Sequence, residues 1–325
     1  MHPFRHWVSA IASAAALCTA ASTVLAQDYP SKPIKIVVPF TAGSATDIIA
    51  RAVGEGMRKE LGQPIIIENK PGAGGTLGAA QVASAPGDGY TLLVHSAGHV
   101  ANAYLYPTLR YDPVKDFKSL AMLASVPNVM VVSPQSGFKD VKAVVAKAKT
   151  EPGKLLYASA GNGSATHMNA EKFRVSTGID ATHVPYRGTP EAMTDVISGQ
   201  VQWFFAPITS ALPMIKDKKL VALAVGSPQR ATALPDTPTT VESGYPGSDY
   251  DFWIGLFAPA KLPPQIAERI QKATETALKS DAVKTRLVSL GANAPSIEPT
   301  KFEAFVRNDS AEVGKLISTA KITQN

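Results

Sequence analysis

The sequence predicts an α/β protein of two lobes, each built on a mostly parallel sheet flanked by helices, with a hinge between the lobes. Three observations carry this expectation. Apolar runs of strand length alternate with amphipathic helical stretches almost throughout, the pattern of sheets built with crossover helices. The alternation falls into two successive series, followed by one more strand and a helical tail. Roughly 300 residues remain after an apolar leader, more than a single core comfortably holds.

The leader is residues 1–26, MHPFRHWVSAIASAAALCTAASTVLA. It has a short basic start (Arg5, with His2 and His6), an Ala-rich apolar run and a small-residue exit at Val24-Leu25-Ala26. This is the pattern of a cleaved secretory signal peptide, so the mature chain is expected in the periplasm, starting near Gln27. A membrane anchor is the alternative, but the run is short and no stop-transfer charges follow. Cys18 raises a lipoprotein anchor, against which stands the bulky Leu17 before it. Because Cys18 is the only cysteine, the mature chain has no disulfide, thiol nucleophile or thiolate metal site. No later stretch approaches the ~20 apolar residues of a membrane span. Charge is mildly basic, with 32 Lys+Arg against 26 Asp+Glu, and scattered. The densest knot, Lys216-Lys218-Lys219, suits a solvated helix end better than a nucleic-acid patch. A mild positive field suits an anionic small ligand.

In chain order, Ile34 to Phe40 is a β-branched strand broken by Pro39. Asp47 to Leu61 carries Ile48, Ile49, Ala52, Val53 and Met57 at helical spacing, and Gly62 stops it. Pro64 to Asn69 is a second strand, feeding a glycine loop and a helix from near Thr76. Asp88-Gly89 turns into a third strand, Tyr90 to Ser96. The second series has strands at 128–132, 155–159, 183–186, 201–205 and 220–225. Its helices are predicted at 141–149, 167–177 and 190–198, the last capped by Thr189. Residues 226–249 are rich in Pro, Gly and Thr. A strand at 253–259 and helices at 263–280, 281–290 and 299–320 end the chain, and this tail should pack on the first lobe. The expected division is residues 27–125 with 251–325 as lobe 1 and 126–250 as lobe 2.

Three loops share one physical character: Thr41-Ala42-Gly43-Ser44-Ala45-Thr46, Gly72-Ala73-Gly74-Gly75-Thr76, and Ser159 through Thr166. Each follows a strand and opens a helix. Free amides and the helix dipole there favour an anion, Gly and Ala allow close approach, and Ser and Thr add hydroxyl donors. Such a site holds a carboxylate without Lys or Arg. Ordinary strand–helix turns have the same composition, so the weight rests on three such loops together. The middle loop lacks a dinucleotide fingerprint, because Leu77 stands where the third glycine belongs and Asp88 is misplaced for a ribose.

Enzyme motifs are missing: there is no G-x-S-x-G elbow, Walker loop or H-E-x-x-H. His95, His99, His167 and His183 show no metal-ligand spacing, so no metal and no cofactor are expected. A hydrolase of small carboxylate esters using Ser159, His167 and Asp47 is the runner-up. It competes with a capping role for His167 and a first-turn helix role for Asp47.

An ordered series of segments resembles one family, the Bug receptors of tripartite tricarboxylate transporters. It comprises Tyr29-Pro30-Ser31-Lys32-Pro33-Ile34, Val38-Pro39-Phe40 with Asp47, Glu68 to Gly75, Asp88-Gly89-Tyr90-Thr91-Leu92, Pro185-Tyr186-Arg187-Gly188, Ala233 to Pro238 and Gly255 to Pro259. The resemblance implies a periplasmic binding protein of type II-like fold that closes on its ligand without a cofactor. It assigns one wall to Phe40, Thr41, Ala42, Ser44, Thr46, Asp47, Gly74, Gly75 and Thr76. The other wall falls to Ser159, Gly161, Asn162, Thr166 and His167, with Tyr186 and Arg187 nearby. Ser96, Phe205 and Ala206 complete the candidate set. This chain departs from the family where Thr41-Ala42-Gly43-Ser44 replaces a Pro and Gly-Gly loop, and where Ala206 replaces an acid that could pair an ammonium. A di- or tricarboxylate or an aromatic carboxylate is therefore expected over an amino acid. The expected partners are that ligand and membrane transporter subunits, with the receptor a monomer that binds no nucleic acid. A sensor input protein docking a membrane kinase is a further alternative.

Overall fold

The computed structural model describes residues 29–323; the predicted leader, residues 1–26 with Cys18, lies outside the described residues. The first sheet has the order β2 (Ile65–Asn69), β1 (Ile34–Val38), β3 (Thr91–Ser96), β10 (Trp253–Pro259), β4 (Phe117–Ser125). β1 pairs parallel with β2 and β3, whereas β10 lies antiparallel between β3 and β4. The second sheet repeats the scheme: β7 (Thr182–Pro185), β6 (Leu156–Ser159), β8 (Trp203–Pro207), β5 (Asn128–Val132), β9 (Val221–Val225). Here β5 is the antiparallel member. The expected mostly parallel sheets are thus mixed. In each, four strands run one way, and the strand made just after the chain crosses from the other lobe runs against them.

Helix α1 (Ala45–Leu61) forms because Ile49, Ala50, Val53 and Met57 bury one face. Gly62, at φ 69°, closes it by donating its N–H to the Arg58 carbonyl. The tail packs on the first sheet. α8 (Pro264–Lys279) lies along α1, and α9 (Asp281–Ser289) follows it. α10 (Pro299–Ala320) covers β4 and α3 (Gly98–Leu105). Gly255 of β10 leaves room for Phe302, since a Cβ there would lie 2.4 Å from the ring. Phe302 in turn sits 5.7 Å from both the Trp253 and Phe257 rings. The crossings are tied together: Val126 N–H donates to the Phe252 carbonyl (2.8 Å), and Ser125 Oγ to Asp251 (3.2 Å).

Three elements escape the sequence pattern: α3, β4 and α7 (Ile208–Lys216). Helix α7 carries Pro213 inside it, and the β4 segment FKSLAMLAS is rich in helix formers. Burial between β10 and the tail makes β4 a strand. Thr189 is not the cap of α6 (Thr189–Ile197); it is the first helical residue, and Gly188 occupies the cap position. The other helices are α2 (Thr76–Ala83), α4 (Val141–Thr150) and α5 (Ala165–Thr177).

Candidate functional site

The loop before α1 is held by one carboxylate. Asp47 Oδ2 accepts the Gly43 N–H (2.9 Å), and Oδ1 accepts from Arg51 Nε and Asn69 Nδ2 (both 3.0 Å). Asn69 Nδ2 also donates to the Phe40 carbonyl (3.0 Å). Burial works to raise the Asp47 pKa, but these hydrogen bonds and the Arg51 charge outweigh it and hold the carboxyl below its ordinary range. Asp47 therefore shapes the loop. Ser44 stands at the cap position of α1 without capping it; its Oγ accepts the Thr189 N–H across the cleft (3.2 Å). The first intrahelical bond is made by Ile48 N–H to the Ser44 carbonyl, so the amides of Ala45 and Thr46 precede it.

The facing loop is braced from behind by histidines. Ser159 Oγ accepts the Gly161 N–H (3.0 Å) and bonds His183 Nε2 (2.6 Å). His167 Nδ1 accepts the Gly163 N–H (3.1 Å), and Ser164 Oγ caps α5 by accepting the His167 N–H. The two imidazoles stack at 4.1 Å, and His183 stacks on Tyr157 at 4.9 Å. Burial pushes both rings down to about 3, helped at His167 by Arg174 and at His183 by His167, so both are neutral. The runner-up catalytic set is not assembled. Ser159 pairs with His183 instead of His167, is fully buried, and its oxygen is occupied by an amide. Asp47 is committed to its own loop.

Between the loops lies a cavity of about 20 Å³, roughly the room for one water. Phe40, Ser44, Ala45, Thr46 and Ser96 line it from the first lobe. Ala160, Ser164, Ala165, Thr166, Thr189 and Pro207 line it from the second, with Phe252 at the crossing. Four helices, α1, α5, α6 and α7, begin at this wall, so four positive dipole ends meet. The lining has hydroxyls but no charged side chain. Thr46 Oγ1 is buried there without a partner. The lobes are shut, with Tyr106 Oη donating to the Asn162 carbonyl (3.0 Å), Thr41 Oγ1 to Glu191 (3.1 Å) and Ser210 Oγ to the Gly43 carbonyl (3.0 Å).

Of the predicted site residues, Phe40, Ser44, Thr46, Ser96 and Thr166 face this cavity. Gly74, Gly161, Asn162, Tyr186 and Arg187 border an outer hollow of the same cleft. Thr41 bonds across the lobes, and Ala42 is exposed. Ser159 and His167 brace their loop from behind. Gly75 borders neither space: a Cβ there would lie 2.4 Å from His95 Nε2, inside the first lobe. Thr76 is the buried first residue of α2, outside the lining. Phe205 packs against Phe173 and Trp203 at 5.5 and 5.9 Å, and Ala206 faces the opposite core layer. The Tyr186 hydroxyl donates to Asp195, away from the cavity. Sequence reasoning missed Pro207 and Thr189 because α7 and the true start of α6 were not foreseen. It missed Phe252 because no local pattern marks a crossing.

Two lobes, two mixed sheets and an inter-lobe cleft define the solute-binding class of α/β proteins. Residues 49–322 match the tripartite tricarboxylate transporter family receptor, and the chain belongs to that family. BugT of Bordetella pertussis is 32% identical over 291 residues, covering 89% of each chain. MatC from Rhodopseudomonas palustris with bound malate is 35% identical, with a TM-score of 0.85 over 89% of this chain and all of its own. A second R. palustris protein, with adipate, is 31% identical, with a TM-score of 0.87 over 91% of this chain and 99% of its own. Among the described residues no helix is long and apolar enough to cross a membrane.

Proposed function

We propose that this protein is a periplasmic solute-binding receptor. It captures a small di- or tricarboxylate between its lobes and delivers it, chemically unchanged, to the membrane subunits of a tripartite tricarboxylate transporter. The observation that carries this reading is the meeting of four helix N-termini on one cavity lined by hydroxyls and free of charged side chains. Such a wall stabilises a carboxylate through amides and dipoles. It offers an ammonium no counter-charge, which disfavours an amino acid. The malate- and adipate-bound relatives fit the same ligand class. The proposal includes removal of residues 1–26 on export, and lobes spanning 27–125 with 251–325 and 126–250.

A thermal-shift panel of malate, succinate, adipate, citrate and aspartate tests this reading, with each ligand recovered afterwards. The expected result is stabilisation by a di- or tricarboxylate, about 2.7 kcal/mol at 100 times Kd, with the ligand intact. Turnover of the ligand, or a response to aspartate alone, overturns it.

A further inference from the structure

The closed cleft does not end at the inner cavity. Ala160 and Thr189 face inward, while Gly161 and Arg187, one and two residues away, border an outer hollow of about 450 Å³. Tyr106 and Gly74 bound that hollow from the first lobe, and Asn162 and Glu191 from the second. A four-carbon dicarboxylate has eight or more heavy atoms, several times what a single-water space of ~30 Å³ admits. With one end among the helix starts, the other end must extend toward the outer hollow or hold the lobes apart.

The charges in the outer hollow are one cation and one acid, Arg187 and Glu191. Glu191 already accepts the Thr41 hydroxyl across the cleft. Arg187 is exposed, and among the described residues its guanidinium has no ion-pair partner. Its turn is nonetheless fixed. Tyr186 N–H donates to the Ser159 carbonyl (3.0 Å), and its hydroxyl is tied to Asp195. Gly188 presses so closely on the first lobe that a Cβ there would lie 2.0 Å from Thr41 Oγ1. Closure therefore seats a rigid turn against the first loop and carries a free guanidinium to the open end of the site. A guanidinium fork matches a carboxylate in two parallel hydrogen bonds.

We infer that Arg187 is the specificity-determining residue of this cleft. It pairs the outer carboxylate of a ligand whose inner carboxylate sits at the helix starts, selecting a second negative end against an uncharged one. The assignment rests on the cleft being a carboxylate site.

Calorimetric titration of the wild type, Arg187→Gln and Arg187→Lys with succinate, glutarate and adipate, and with the monomethyl ester of each, tests it. The esters keep chain length and mask one carboxylate. The wild type should prefer at least one diacid to its half-ester tenfold or more. Arg187→Gln should compress that preference below threefold while changing half-ester affinity less than threefold. Arg187→Lys, which keeps the charge but loses the fork, should fall between. An unaltered preference in Arg187→Gln, equal losses for diacid and half-ester, or no preference in the wild type overturns the assignment and leaves the carboxylate reading standing. A wild type that binds none of these compounds but binds an uncharged or cationic solute overturns both.

Discussion

His167 shows how a side chain behind a loop governs what the loop presents. Its Nδ1 is the acceptor for Gly163 N–H, so the ring must stay neutral at that nitrogen. His167→Phe keeps the stack on His183 but strands a buried amide, and denaturant unfolding should show a loss of about 1–3 kcal/mol. The same chemistry sets the acid limit of the fold. His99, His167 and His183 are pushed down to about 3 by burial, and His95 is held well below its ordinary range by burial and by His99 beside it. A depressed imidazole contributes stability that is complete above its unfolded value of about 6.5 and is lost as pH falls toward the folded value. Thermal midpoints should therefore decline below about pH 6.5, and the slope should be shallower in His167→Phe. At this scale the sequence was only partly legible. It placed Asp47 in a first helical turn but could not show that Gly43, Arg51 and Asn69 all converge on it. A glycine loop opening a helix suggests an anion contact at Gly75, yet the demand for glycine there comes from its φ of 96° and from His95, twenty residues on.

Elements were legible where the periodicity was strong and faint where tertiary burial overrides local preference. α1, α5 and α10 follow from spaced apolar residues and glycine or proline punctuation. β4 does not, because Leu120, Ala121, Met122 and Leu123 suit a helix until β10 pairs with them. Docking of α10 on β10 adds a feature no pattern reveals. Asp309 accepts the Trp253 Nε1–H at 3.0 Å, near Asp251 at the crossing. Burial raises the Asp309 pKa to about 6, with Trp253 opposing and Asp251 adding to the rise; burial raises Asp251 too. A raised carboxyl favours the folded state at low pH, and that stability is lost as pH rises through about 6. Asp309→Asn keeps an acceptor for Trp253 and removes the charge. It should raise the melting temperature at pH 7.5 and give a clearly smaller gain at pH 4.5; equal gains at both would mean that the carboxyl is not the strained group.

At the scale of the whole molecule, closure is built largely from side-chain hydroxyls of one lobe meeting backbone of the other. Gly188 has φ −175°, an extended conformation open to any residue, so its lack of a side chain answers to Thr41 and Ser44 across the cleft. Gly188→Ala should leave each lobe intact by circular dichroism. It should weaken ligand binding at least tenfold and abolish the decrease in radius of gyration expected of the wild type in scattering on ligand addition. The two-lobed plan was legible from two α/β series and a returning strand. The antiparallel hand of β5 and β10 was not, since hydrophobic pattern carries no strand direction. That detail matters before the protein ever meets a ligand. The first sheet has β10 at its interior, paired on both sides, so its N-terminal strands wait for a partner made more than 150 residues after β3. A chain emerging from the ribosome cannot complete its first lobe until nearly all of it has been synthesised. Truncation before Trp253 should leave β3 and β4 as open edges and the N-terminal segment sensitive to protease. Late closure suits the export included in the proposed function: the first lobe stays open until its returning strand is made, and can lock after the chain has crossed.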